Sequence, residues 1–93
     1  MRMSIMIRIP GVWRATTDGA SVVELPSGTL AEVLAVLIER FPCLRPKLFD
    51  PHGRLHAYTN LFVNQEHIRY LDGLATPLHD GDELYIVPML AGG

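Results

Sequence analysis

Ile5, Ile7 and Ile9 alternate with Ser4, Met6 and Arg8, the two-residue period of a strand with one strongly apolar face. Pro10-Gly11 ends the run. A polar connection through Thr16-Thr17-Asp18-Gly19 leads to Ser21-Val22-Val23-Glu24-Leu25, a second short strand closed by Pro26. The two read as a hairpin with a long loop. The period then changes. Leu30, Val33, Leu34, Leu37, Ile38 and Phe41 recur at intervals of three and four, an unbroken stripe along one helix face. Thr29 is placed to cap this helix, and Glu32 stands three residues on, where its side chain reaches back to the Thr29 N–H in a capping box. Pro42 stops it.

Residues 42–57 carry Pro42, Pro46, Pro51 and Gly53, so an irregular connection is expected, with one turn of helix around residues 44–49. Residues 58–63 form a third strand, Asn64-Gln65 a tight turn, and residues 67–70 a short fourth strand pairing back. Residues 73–78 read as a loop. Asp80-Gly81 is a strong turn signal, and residues 83–87 form a fifth strand that leaves the sheet at Pro88, which lacks a ladder donor. The order strand, strand, helix, strand, strand, strand predicts an α+β domain, one sheet with one helix across it.

Ninety-three residues allow one modest core and no separate catalytic domain. The net charge of −2 and the lack of a basic run point away from nucleic acid and from an anionic membrane surface. Arg8 and Pro10 interrupt the apolar N-terminal stretch before it resembles a signal peptide. No segment approaches the roughly 20 apolar residues of a membrane helix. The single cysteine, Cys43, has no partner for an internal disulfide, and the cytoplasm is the expected compartment.

Residues that could carry chemistry have plainer explanations. Asp80, Asp82 and Glu83 lack the spacing of a calcium loop and are better explained as a turn. His52 and His56 would share a helix face, but Pro51 and Gly53 argue against a helix there, so no metal site is expected. His67 and His79 read as solvated turn residues, and Cys43 as a small, partly buried hydrophobe. Trp13 is either a partner anchor or the cover of a core edge. No catalytic residue is assigned.

The sequence closes on Leu90-Ala91-Gly92-Gly93. Glycines without Cβ make a narrow stretch that can enter another protein's active site, so residues 89–93 are expected to be a flexible tail on a domain of residues 1–88. With that tail, Leu25-Pro26-Ser27-Gly28-Thr29 entering the helix, Phe41-Pro42 leaving it, Val63-Asn64, Asp80-Gly81-Asp82-Glu83 and Pro88 together resemble the β-grasp (ubiquitin-like) MoaD/ThiS sulfur carriers. The run from Asn60 through Arg69, with Gly73-Leu74 and Thr76, is most similar to the longer, CysO-like members.

The resemblance implies a mixed sheet of about five strands with one main helix packed across it. It implies a carrier rather than an enzyme, and admits service as the small subunit of a synthase. In such a carrier Gly93 is the site of adenylation and of the thiocarboxylate, and Ala91 and Gly92 thread the tail into the partner. No cofactor is bound; ATP and Mg²⁺ are used by the activating enzyme. The implied partners are a ubiquitin-activator-like adenylyltransferase and a sulfur-accepting synthase serving cysteine, molybdopterin, thiamin or a related pathway. Two alternatives stay open: a modifier joined to lysines through Gly93, with a metalloprotease as a further partner, and a β-grasp interaction module. Strand alternation puts Tyr85 and Val87 opposite Leu84 and Ile86, so if the latter pair faces the helix, the former is a candidate docking surface. Met89 and Leu90 extend it toward the diglycine.

Overall fold

The apolar alternation at the start of the chain produces the strand that everything else is built upon. In a computed structural model, which describes residues 3–89, β1 (Ser4–Arg8) buries Ile5 and Ile7 completely while Met6 and Arg8 face out. It pairs antiparallel with β2 (Val22–Pro26), in register Ile7↔Val23 and Ile5↔Leu25. The connection between them is not the featureless loop expected. Residues Gly11–Thr17 wind into a 3₁₀ helix closed by Asp18 at φ 55° and Gly19 at φ 84°. Such short turns have no 3.6-residue apolar stripe to announce them.

The helix forms as its stripe predicts. α1 (Leu30–Arg40) buries Leu30, Val33, Leu34, Leu37 and Ile38. Its N-terminus carries the full capping box: Thr29 Oγ1 accepts from the Glu32 N–H at 3.2 Å, and Glu32 Oε1 accepts from the Thr29 N–H at 2.8 Å. The next N–H, that of Leu30, donates to the Thr76 carbonyl at 2.8 Å. That need for an acceptor at the helix start corrects the loop reading of residues 73–78. Beside Thr76, β6 (Pro77–Leu78) pairs with β3 (Gly28–Thr29) in a separate two-stranded ladder. After α1, a 3₁₀ turn (Pro42–Leu44) leads into α2 (Arg45–Leu48), which places Leu44 and Leu48 in the core.

The main sheet runs β2-β1-β7-β4-β5, from β4 (Thr59–Val63), β5 (Glu66–His67) and β7 (Glu83–Pro88). Among the described residues only the central β1–β7 pair is parallel. The fourth strand is shorter than the sequence suggests, because the chain turns into a 3₁₀ helix at Ile68–Tyr70 to bury Ile68. The fifth is one residue longer. Pro88 stays in the sheet, opposite Thr59. Its missing N–H would point to the β1 side, where pairing has already ended at Arg8↔Tyr85. On the β4 side the Met89 N–H donates to the Tyr58 carbonyl at 2.7 Å.

Ile5, Ile7, Val23, Leu25, Leu61, Leu84 and Ile86 line the inner sheet face and form one cluster with the α1 stripe. No helix among the described residues is long and apolar enough to cross a membrane.

Leu34 and Leu37 are both fully buried mid-stripe. Replacing either with alanine is expected to cost about 2–5 kcal/mol, read as a lowered melting temperature. Unchanged stability in both would contradict the helix–sheet packing. The cap gives a pH-dependent counterpart. Thr29→Ala is expected to cost about 1 kcal/mol. Hydrogen bonds from the Thr29 backbone first, and from its hydroxyl second, hold the Glu32 carboxyl below its usual range. Its contribution is therefore complete above the ordinary carboxylate range and is lost as pH falls through the lowered value. The melting difference between wild type and Glu32→Ala should narrow across that acid window; a constant difference would remove the charge from the cap.

Candidate functional site

Strand alternation gives the sheet a second face, which no helix among the described residues covers at Met6, Tyr85 and Val87. On β7, Leu84 and Ile86 point inward, and Tyr85 and Val87 point outward at 36% and 46% exposure. The orientation assumed for the candidate docking pair is the one observed. Register supplies their neighbours. Phe62 on β4 stands opposite Tyr85, Asn60 opposite Val87, and Arg8 on β1 opposite Tyr85 from the other side. A depression of about 450 Å³ lies here, lined by Phe62, Asn64, Gln65, Glu83, Tyr85 and Val87. The alternation of buried Thr59, Leu61 and Val63 was the available signal that Phe62 faces outward beside Tyr85.

Two polar arrangements border this apolar strip. Glu83 Oε1 receives Arg8 Nε and Nη2, each at 2.8 Å, and the Tyr85 hydroxyl at 3.3 Å. This partnership, by hydrogen bonding first and charge second, raises the Arg8 guanidinium above its usual value, so it stays a fixed cation. The second arrangement centres on His67, which is not the solvated turn residue expected. Its ring meets the Phe62 ring edge-on at 5.1 Å. Nδ1 accepts from the Arg69 N–H at 3.0 Å, which makes Nε2 the donor to Asn60 Oδ1, also at 3.0 Å. The Arg8–Glu83 pairing was not legible in sequence, because it joins strands far apart along the chain, whereas the His67–Asn60 bond lies within one hairpin and depends on its register.

The remaining candidates fall where plainer readings place them, with one exception. Asp80 Oδ1 accepts from the Ser4 N–H, and Asp82 accepts from the His79 N–H and the Asn64 side chain. Those carboxylates knit the turn before β7 to β1 and β4. His79 is exposed beside Asp82. The His52 N–H donates to Asp50, whereas His56 stacks on Tyr58 at 4.4 Å, so the two histidines do different work. Among the described residues, no three of His, Cys, Asp and Glu are grouped to hold a metal. Trp13 is 7% exposed and covers a core edge. Cys43 is the exception: it is exposed rather than partly buried, because the 3₁₀ turn after α1 sends Leu44 inward instead.

The strand bearing Tyr85 and Val87 runs directly into Met89, which is 61% exposed. Leu90, Ala91, Gly92 and Gly93 lie outside the described residues. The candidate docking pair Tyr85 and Val87 thus lies on the strand that leads to Met89.

Comparison with known proteins gives a consistent picture. The model of the ThiS family matches residues 7–93. The sulfur carrier protein CysO of Mycobacterium tuberculosis is 37% identical over 93 residues, covering 98% of this chain and 100% of that protein. A chain of the Amycolatopsis orientalis BexX/CysO complex crystal structure superposes with a TM-score of 0.86 at 32% identity, covering 96% of this chain and 99% of that one. The small archaeal modifier protein 3 of Haloferax volcanii is 34% identical over 81 residues, 87% of this chain and 77% of that protein.

Proposed function

The chain belongs to the ThiS family, and on that premise we propose that it is a sulfur carrier protein, a substrate for enzymes rather than a catalyst. The observation carrying this reading is the full-length similarity to proteins named as sulfur carriers, with the family match extending through Gly92-Gly93. A carboxylate is a poor electrophile. A ubiquitin-activator-like enzyme, using ATP and Mg²⁺, transfers AMP to the Gly93 carboxylate and releases pyrophosphate. Sulfide attacks the acyl carbon and expels AMP, leaving a thiocarboxylate; with a persulfide donor, an acyl disulfide forms first and a thiol reduces it. Glycine suits both attacks, since no side chain crowds the carbonyl within a narrow channel. The carrier then presents its sulfur to an acceptor synthase. Similarity to CysO favours cysteine biosynthesis as the recipient.

The folded domain contributes recognition, because a diglycine alone cannot distinguish one carrier from another. The outer-face strip of Phe62, Tyr85 and Val87, continued by Met89, is the surface we assign to partner docking, with Leu90, Ala91 and Gly92 leading on to the reacting residue. A second reading, a modifier joined to lysines through Gly93, is favoured by the similarity to small archaeal modifier protein 3. Both begin with the same adenylate. Intact mass of the protein from its native cell separates them, as a sulfur-for-oxygen exchange in one case and lysine-linked higher species in the other.

Removing Gly93, or appending residues after it, is expected to abolish ATP–pyrophosphate exchange with the cognate activating enzyme while leaving the melting curve unchanged. Full exchange with a blocked terminus would exclude the carboxylate from the mechanism. Tyr85→Ala is expected to weaken binding to the activating enzyme or the acceptor synthase at least about tenfold without unfolding the protein. Titration calorimetry with each partner reads the effect, and unchanged affinity for both would move the docking face elsewhere.

A further inference from the structure

A second depression, of about 260 Å³, lies at the base of the tail and is separate from the one on the outer sheet face. The first connection supplies Val12 and Trp13, the α2 segment Pro46 and Lys47, and the two strand ends Tyr58 and Met89. The Met89 N–H to Tyr58 carbonyl bond holds the two strand ends together. Trp13 is its buried floor, whereas Val12, Tyr58 and Met89 are exposed apolar residues, at 66%, 49% and 61%. Lys47 Nζ stands 6.0 Å above the Trp13 ring, and among the described residues it pairs with no carboxylate. The result is an apolar collar carrying one cation.

What covers it follows from chain length, given the carrier reading on which this inference rests. Gly93 is four residues beyond Met89. Four residues reach at most about 13–14 Å when fully extended. Adenylation sets the Gly93 carboxylate against the α-phosphate of ATP, in a centre that must exclude water. An enzyme enclosing that carboxylate has little tail to spare, so its surface must close on the residues around Met89. We propose that the collar of Val12, Tyr58 and Met89 around Lys47 seats the mouth of the activating enzyme's tail channel, and that this mouth is apolar with a carboxylate facing Lys47. The short tail acts as a ruler: the collar docks because the reacting residue cannot otherwise reach its destination.

The test is ATP–pyrophosphate exchange with the cognate activating enzyme, varying carrier concentration, with a circular dichroism melt of each variant. Val12→Glu and Met89→Glu are surface changes, and Lys47→Glu reverses the one charge. Each is expected to raise the half-maximal carrier concentration at least about tenfold with the melt preserved. Two glycines inserted between Met89 and Leu90 let the collar stand off, so in that background Val12→Glu should cost less than about threefold relative to its own parent. Unchanged half-maximal concentrations for Val12→Glu and Met89→Glu would overturn the proposal and leave the depression to the chain's own last residues. An equal penalty at both tail lengths would overturn the ruler, and insensitivity to Lys47→Glu would overturn the acidic mouth. No exchange by the wild type would instead overturn the carrier reading itself, and the collar with it.

Discussion

The parallel pairing of β1 with β7 is the constraint on which the molecule depends. It lays the first and last strands side by side, Ile7 against Leu84, and buries both completely beneath α1. Because neighbouring residues in a strand face opposite ways, burying Leu84 and Ile86 obliges Tyr85 and Val87 to face out. The outward apolar strip is therefore a by-product of core formation. Disrupting the core would also move the strand that leads to the diglycine.

Each sheet face has a different task. The inner face is closed by an amphipathic helix whose start is held twice, by its own capping box and by the Thr76 carbonyl. The outer face keeps an aromatic and aliphatic strip bordered by Arg8–Glu83 on one side and His67–Asn60 on the other. An apolar centre with a polar border is the composition of a specific interface. The Glu83 carboxylate joins Arg8 of β1 to Tyr85 of β7, so the border ion pair also orients the central aromatic ring.

The polar residues of the turns serve the fold. Asp80 and Asp82 bind backbone N–H groups, and Asp50 accepts from the N–H groups of His52 and Arg54 around the turn at Gly53. In a carrier of this family the reacting group is instead a main-chain carboxylate.

By itself the sequence determined the main elements, because their signals are local. The isoleucine alternation, the helix stripe with Thr29 and Glu32, the Asp80-Gly81 turn and the apolar alternation of β7 each lie within thirteen residues or fewer. The diglycine was legible for the same reason, and its chemistry came through family resemblance. Tertiary structure alone decided whatever joins distant segments: the β3–β6 ladder beside Thr76, Phe62 beside Tyr85, Arg8 on Glu83, and the collar that gathers Val12, Lys47, Tyr58 and Met89. Those pairings depend on register and on which orphan donor meets which acceptor. Local periodicity shows which face a residue takes, but only the closed sheet shows what stands beside it.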